Sequence, residues 1–226
     1  MANPRKIVFR NDSIYHICNR AVDGRSIFRS KREYERGLML LRFYKYAKTP
    51  MRLSYLLNLS HENQLEVLSR LENSERLVSI LSYAFMPNHF HVLLKQLTDN
   101  GISKFVSNIS NSYSRYSNVK SKRIGPVFQG RFRAVFIQSN EQLAHVSRYI
   151  HLNPVTASII DFQALANYEF TSYIDYVNGN SRGMVDTEDV LSLFNSAEDY
   201  EEFVTDHIGY SKTLHEIEYL TLEYEV

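Results

Sequence analysis

Two histidines separated by one residue, His89 and His91, lie in the segment HFHVLLK. On a strand, side chains alternate between faces, so both imidazoles project together while Phe90, Val92 and Leu94 face the other way. Two imidazoles on one rigid strand make half of a divalent-cation site. An isolated pair of this kind is more commonly two exposed or hydrogen-bonded histidines, so a third ligand and a reacting group must decide. Both are available in RYIHLNPV, residues 148–155. Tyr149 and Asn153 are four apart and share one row of a helix. The Asn153 amide oxygen suits a hard cation such as Mg2+ or Mn2+. Tyr149 borders an apolar stripe of Leu143, Val146 and Ile150 and can reach into a cleft with its hydroxyl. Because the chain has 16 tyrosines, ordinary packing is the competing reading of Tyr149.

Aromatic and basic residues interleave elsewhere. Phe128, Arg131, Phe132 and Arg133 form one such group, and Tyr113, Arg115 and Tyr116 another. Single-stranded nucleic acid is held by stacking platforms and cations, so the pattern is compatible with it. Tyr113 and Tyr116 also fit a helix core. Arg20, Arg131, Arg133, His145 and Arg148 are the candidate nucleic-acid contacts. His16 on the first strand and His145 one turn before Tyr149 each have the position to face a cleft. His61, His207 and His215 have no partner visible in the sequence. Neither GxxxxGK[ST] nor GxGxxG occurs, which argues against a phosphate-cradling nucleotide loop, and the GxSxG elbow of a serine hydrolase is missing too.

These residues need a frame. Residues 13–21 favour a strand, and Asp23-Gly24 favours a turn. Ser30 with Glu33 makes a capping box for a helix over residues 31–46, which Thr49-Pro50 ends. Residues 51–76 read as a helical insertion, with Leu65, Leu68 and Leu71 at helical spacing. Two strands, 78–86 and 89–95, flank a Pro87-Asn88 turn. Ile102, Phe105, Val106, Ile109, Tyr113 and Tyr116 stripe the next helix. A strand-like stretch over residues 125–137 and a helix over residues 140–151 follow, the latter ending near Asn153-Pro154 because a residue before proline leaves the helical region. Short strands mixed with long helices predict an α+β fold, an antiparallel sheet covered by helices on one side. Two helices are predicted beyond, over residues 187–195 and 197–207.

The net charge of +1 conceals an asymmetry: residues 1–155 carry 24 Lys and Arg against 10 Asp and Glu, whereas residues 156–226 carry 2 against 15. A basic body suits a polyanionic partner, and an acidic extension either screens that body or is simply solvated structure. Cys18 is the single cysteine, which excludes an intramolecular disulfide and a cysteine-cluster metal site. No apolar run approaches the length of a membrane span, and residues 1–12 carry Arg5, Lys6 and Arg10 without an apolar signal core. A cytoplasmic protein without a membrane partner is expected.

Four segments in order, YHICNRAVDGRSIF (15–28), AFMPNHFHVLLK (84–95), GPVFQGRFRAVFI (125–137) and RYIHLNPV (148–155), resemble the single-tyrosine HUH (His-hydrophobic-His) transposases, in particular the REP-associated tyrosine transposases. Similarity continues through YEFTSYIDY and VDTEDVLSLF. The resemblance implies a ferredoxin-like or RRM-like sandwich in residues 1–155, interrupted by the 51–76 insertion and followed by a mostly helical acidic extension over residues 156–226. It implies His89, His91 and Asn153 as ligands of Mg2+ or Mn2+ and Tyr149 as nucleophile. It further implies cleavage of single-stranded DNA beside a hairpin or palindromic element through a 5′-phosphotyrosine link, followed by rejoining. Two other readings stay open: a nucleic-acid-binding regulator that no longer cuts, and a metal-dependent phosphodiesterase in which water attacks. Monomer and homodimer are both compatible with the sequence.

Overall fold

The computed structural model describes residues 7–179 and 182–206. The final part of the acidic extension, residues 207–226, with His207 and His215, lies outside the described residues. The elements nearest the site are β1 (Ile14–Arg20), α1 (Lys31–Tyr44), β2 (Val78–Met86), β3 (His89–Gln96), α4 (Gly101–Lys120), β4 (Arg133–Phe136) and α5 (Asn140–Thr156). Between α1 and β2 lie α2 (Leu53–Leu56) and α3 (His61–Glu72). After α5 come α6 (Tyr173–Val177), α7 (Glu188–Leu191) and α8 (Ala197–Thr205).

The four strands form one sheet in the order β2-β3-β1-β4, with every pairing antiparallel. Register decides which side chains share a face. Cys18 pairs with His91 and with Arg133, Arg20 with His89, and His16 with Leu93 and Val135. Directly paired residues project to the same side, so His16, Cys18, Arg20, His89, His91 and Arg133 all stand on one face. Phe90, Val92, Asn19 and Ile17 stand on the other.

The α+β sandwich is as expected, and its helix layer is α1 with α4 on the Phe90 face. Asn19 Nδ2 donates to Ser110 Oγ of α4 at 3.0 Å, and Tyr113 packs against Phe28 and Phe128. A Cβ on Gly37 of α1 would stand 2.7 Å from the Phe85 ring, so the bare backbone lets α1 approach the sheet. The expectation that helices cover one side does not extend to α5. That helix lies on the histidine face, with Tyr149 edge-on to His91.

Local chemistry explains several boundaries. Glu33 does not complete a reciprocal box with the Ser30 side chain. Its buried carboxylate accepts from Arg29 N (2.7 Å), Ser30 Oγ (3.2 Å) and Lys120 Nζ (2.9 Å), tying the start of α1 to the end of α4. The insertion buries Leu53, Leu56, Leu68 and Leu71, but Leu65 is 52% exposed. The strand expected from residue 125 is confined to β4, because the preceding chain contains Pro126 and a left-handed Gly130. Helix α5 continues past Asn153 to Thr156 with Pro154 inside it. The missing proline N–H leaves one carbonyl without its helical partner, and the last turn still closes through Ala157 N to Asn153 O at 3.0 Å.

The acidic extension, as far as it is described, joins the same hydrophobic core through Tyr173, Tyr176, Val190, Tyr200 and Val204. Asp186 pairs with Arg76 at 2.7 Å and Asp189 with Lys95 at 3.0 Å. Among the described residues no helix is long and apolar enough to cross a membrane.

Candidate active site

The turn between β2 and β3 sets His89. Asn88 Nδ2 donates to Gly24 O at 3.0 Å, which orients the Asn88 amide and leaves its Oδ1 as the acceptor facing His89. His89 Nδ1 lies 2.6 Å from that oxygen. The His89 proton therefore resides on Nδ1, and Nε2 carries a lone pair. That Nε2 is buried and has no hydrogen-bond partner.

His91 is completely buried, and its Nδ1 lies 2.9 Å from His16 Nε2. Its own Nε2 is also buried without a partner. The two strand histidines sit with ring centroids 4.8 Å apart and planes at 84°. Burial pushes His89 down to about 3, with the Arg20 charge adding to the effect. Burial also drives His91 well below the ordinary histidine range, reinforced by the charges of His89, His16 and Arg20. Both rings are thus neutral, the form that ligates a metal. Two dry Nε2 atoms, each with nothing to bond, fit a divalent cation.

Tyr149 brings the hydroxyl. The residue is 4% exposed, with its ring 5.5 Å from His91 at 87° and 6.0 Å from His16 at 70°. Asn153, one turn further along α5, is likewise buried. Among the described residues no three His, Cys, Asp or Glu side chains gather as a metal cage; an amide oxygen such as that of Asn153 is of a type that could complete a site with the two histidines.

Three of the predicted basic residues converge. Arg20, Arg131 and Arg133 line a small depression with Cys18, Asn19 and Gln129, and Gln129 N donates to Arg20 O at 2.7 Å. Arg148 is different and corrects the expectation placed on it. It is 2% exposed, donates from Nη1 to Phe203 O at 3.0 Å, and lies 4.1 Å over the Phe203 ring. Its task is to fasten α8 to α5. Its Nη2 lies 3.0 Å from His145 Nδ1, and the His145 ring stands 5.3 Å from Phe203. His145 thus serves the α8 contact, which weakens its standing as a DNA contact or proton acceptor.

Two supporting roles emerge only from the fold. Asn88 fixes the His89 tautomer, and its only mark in the sequence is a Pro-Asn turn. His16 touches both His91 and Tyr149; its strand position hints at the cleft, but not at these partners.

The fold and site define a class: an antiparallel α+β sandwich with a His-hydrophobic-His strand beneath a tyrosine-bearing helix. A family model described as "Transposase IS200 like" matches residues 49–153, a span that includes His89, His91, Tyr149 and Asn153. The solved structure of a REP-associated tyrosine transposase bound to a REP hairpin is similar at a TM-score of 0.53 and 14% identity, covering 83% of this chain and 90% of that one. No curated protein matches the sequence. The family match, over less than half of the chain, and the shared fold are in keeping with the single-tyrosine transposases that the motifs resemble.

Proposed function

We propose that this protein is a metal-dependent strand transferase that cuts single-stranded DNA beside a hairpin and joins it to Tyr149. The observation that carries the reading is the pair of buried, partnerless Nε2 atoms of His89 and His91, with the His91 ring edge-on to that of Tyr149 at 5.5 Å. A structural histidine pair has no use for two unsatisfied nitrogens, each costing about 1–3 kcal/mol when left unbonded in a dry site.

His89 and His91 would hold Mg2+ or Mn2+ together with Asn153. When bound, that cation would draw charge from the non-bridging oxygens of the scissile phosphate. Tyr149 Oη attacks phosphorus in line with the 3′ oxygen. The O–P bond to tyrosine forms, the 3′ O–P bond breaks, the phenol proton leaves, and the departing 3′ oxygen gains a proton. The 5′-phosphotyrosine conserves the bond energy, so a 3′ hydroxyl can reverse the step without ATP. A phenol with a free pKa near about 10 is a weak nucleophile at neutral pH. Arg20, placed beside His89 on the same face, with Arg131 and Arg133 nearby, supplies positive potential for the phosphate. The DNA hairpin partner is supported by the bound hairpin of the structurally similar transposase.

The test is a denaturing gel with end-labelled, hairpin-bearing single strands and Mn2+. Wild type is expected to give a protein-linked band that Tyr149→Phe, His89→Ala, His91→Ala and EDTA each abolish. A band persisting in Tyr149→Phe excludes this tyrosine as nucleophile. Cleavage without any adduct points to attack by water, and binding without cleavage to a regulator.

A further inference from the structure

Helix α5 carries two rows of polar side chains. Tyr149 and Asn153 form one; Ser147 and His151, also four apart, form a second. Residues two apart lie nearly opposite one another around a helix, so the second row faces away from Tyr149. Ser147, His151, Ser172 and Tyr200 are all fully buried. His151 Nε2 lies 2.8 Å from Ser172 Oγ and its Nδ1 2.8 Å from the Tyr200 hydroxyl, which in turn lies 3.1 Å from Ser147 Oγ.

The outer contacts give this chain a direction. A hydroxyl has one proton to donate, and a neutral imidazole donates from one nitrogen and accepts at the other. Ser147 Oγ donates to Ala144 O at 2.7 Å, so it accepts from Tyr200. Tyr200 then accepts from His151 Nδ1–H. His151 Nε2 accepts from Ser172 Oγ, which itself accepts from Tyr83 N of β2 at 2.8 Å. The reverse polarity would send the Ser172 proton to Tyr83 O at 3.4 Å and take the Ser147 proton away from Ala144, so it loses a short contact for a long one. Tyr83 precedes Ala84, the residue paired with His91.

We infer that His151 and Tyr200 are positioning residues for Tyr149: their one-way hydrogen-bond chain fixes the rotation of α5 against β2, and with it the place of the Tyr149 hydroxyl beside the histidine strand. The inference rests on the proposed chemistry of Tyr149 but gives a role to groups that never touch substrate. Apolar contact is non-directional, whereas a fully satisfied buried chain specifies one arrangement.

The experiment uses the full chain and the variants Tyr200→Phe and His151→Leu. Tyr176→Phe is the control: its hydroxyl is also buried, donating to Leu81 O at 2.8 Å, and its ring packs 4.7 Å from His151, but it stands outside the chain. Two quantities are read well below the melting temperature of each variant: the single-turnover rate of adduct formation at saturating DNA and Mn2+, and the 19F resonance of 3-fluorotyrosine placed at position 149. Tyr200→Phe and His151→Leu are expected to slow the adduct at least about tenfold, since a misplacement of about 1 Å can cost about a hundredfold. DNA affinity should stay at the wild-type value, and the resonance should shift or broaden. Tyr176→Phe should change neither rate nor resonance. Tyr200→Phe deletes one oxygen and decides the matter should the leucine variant fail to fold. An unchanged rate or an unchanged resonance in Tyr200→Phe overturns the inference, and so does an equal effect in Tyr176→Phe, which would reveal general loosening. If wild type forms no adduct yet the resonance moves in Tyr200→Phe alone of the two phenylalanine variants, the positioning role stands and Tyr149 as nucleophile fails.

Discussion

His16→Leu tests how the metal site is prepared. A lone pair at His91 Nε2 requires the proton of that ring on Nδ1, where it must donate to an acceptor. The acceptor is His16 Nε2 at 2.9 Å, and both rings are fully buried. Leucine has nearly the volume of histidine and adds no polar atom, so the substitution removes the acceptor with little change in packing. The ligating tautomer of His91 would then bury an unsatisfied N–H, at a cost of about 1–3 kcal/mol. At about 1.4 kcal/mol per tenfold, metal affinity should fall by about 10- to 100-fold, the range found when outer partners of metal-bound histidines are removed. Two measurements read this: calorimetric titration with Mn2+, and the Mn2+ midpoint for adduct formation. Saturating metal should restore much of the rate, and His16→Gln, whose amide oxygen can accept, should recover much of the affinity. A wild-type midpoint in His16→Leu, or a glutamine variant no better than leucine, would refute the tautomer argument.

Two further expectations concern stability. Arg148→Ala removes the donor to Phe203 O and the cation over the Phe203 ring, so α8 should loosen and the protein lose about 2–4 kcal/mol, read by urea unfolding, while stem-loop affinity of the folded protein is unchanged. Glu33 carries a pH signature. Burial opposes its charge, but the hydrogen bonds from Lys120 and Arg29 N, with the charges of Lys120 and Arg29, outweigh it and hold the carboxyl below its ordinary value. A carboxyl lowered on folding contributes stability that is complete above the unfolded value of about 4.3 and lost as pH falls through the folded one. Glu33→Gln should therefore unfold more easily than wild type at pH 7, with the difference shrinking as pH falls below about 4; a gap of constant size would show that the charge is not responsible.

What is legible in the sequence is what short periodicities encode. The alternation of a strand puts His89 and His91 on one face, and the helical row puts Asn153 one turn beyond Tyr149; both follow from local geometry alone. The side of the sheet on which α5 lies does not, because an apolar stripe of Leu143, Val146 and Ile150 fits either face. Arg148 misleads for a related reason. A cation beside a candidate nucleophile suggests phosphate, yet its partner Phe203 is 55 residues away and invisible to any local pattern. The Asn88 and His16 contacts are hidden in the same way, since His16 meets His91 across 75 residues. Leu65 shows the opposite error: helical spacing marks a buried position where the fold leaves an exposed one.

The charge division between the two parts of the chain acquires a physical meaning from these contacts. An acidic extension that merely screened a basic surface would meet it through exposed, exchangeable charges. The described part instead buries Tyr200 between Ser147 and His151 of α5: its hydroxyl lies 3.1 Å from Ser147 Oγ and 2.8 Å from His151 Nδ1. The other nitrogen of His151 meets Ser172 Oγ at 2.8 Å. Burial holds His151 down at about 3, so this network stays uncharged and is not a salt-dependent clasp. Ser147, Arg148 and His151 flank Tyr149 in sequence, and each is bonded to residues of the extension. The acids Asp186 and Asp189 add ion pairs to Arg76 and Lys95 at its margin, where exposed charges are worth little individually. The extension therefore acts first through apolar and neutral hydrogen-bonded contacts that hold α5 in place. Tyr149 owes its position over the histidines to both sides of that helix, the sheet beneath it and the extension packed behind it.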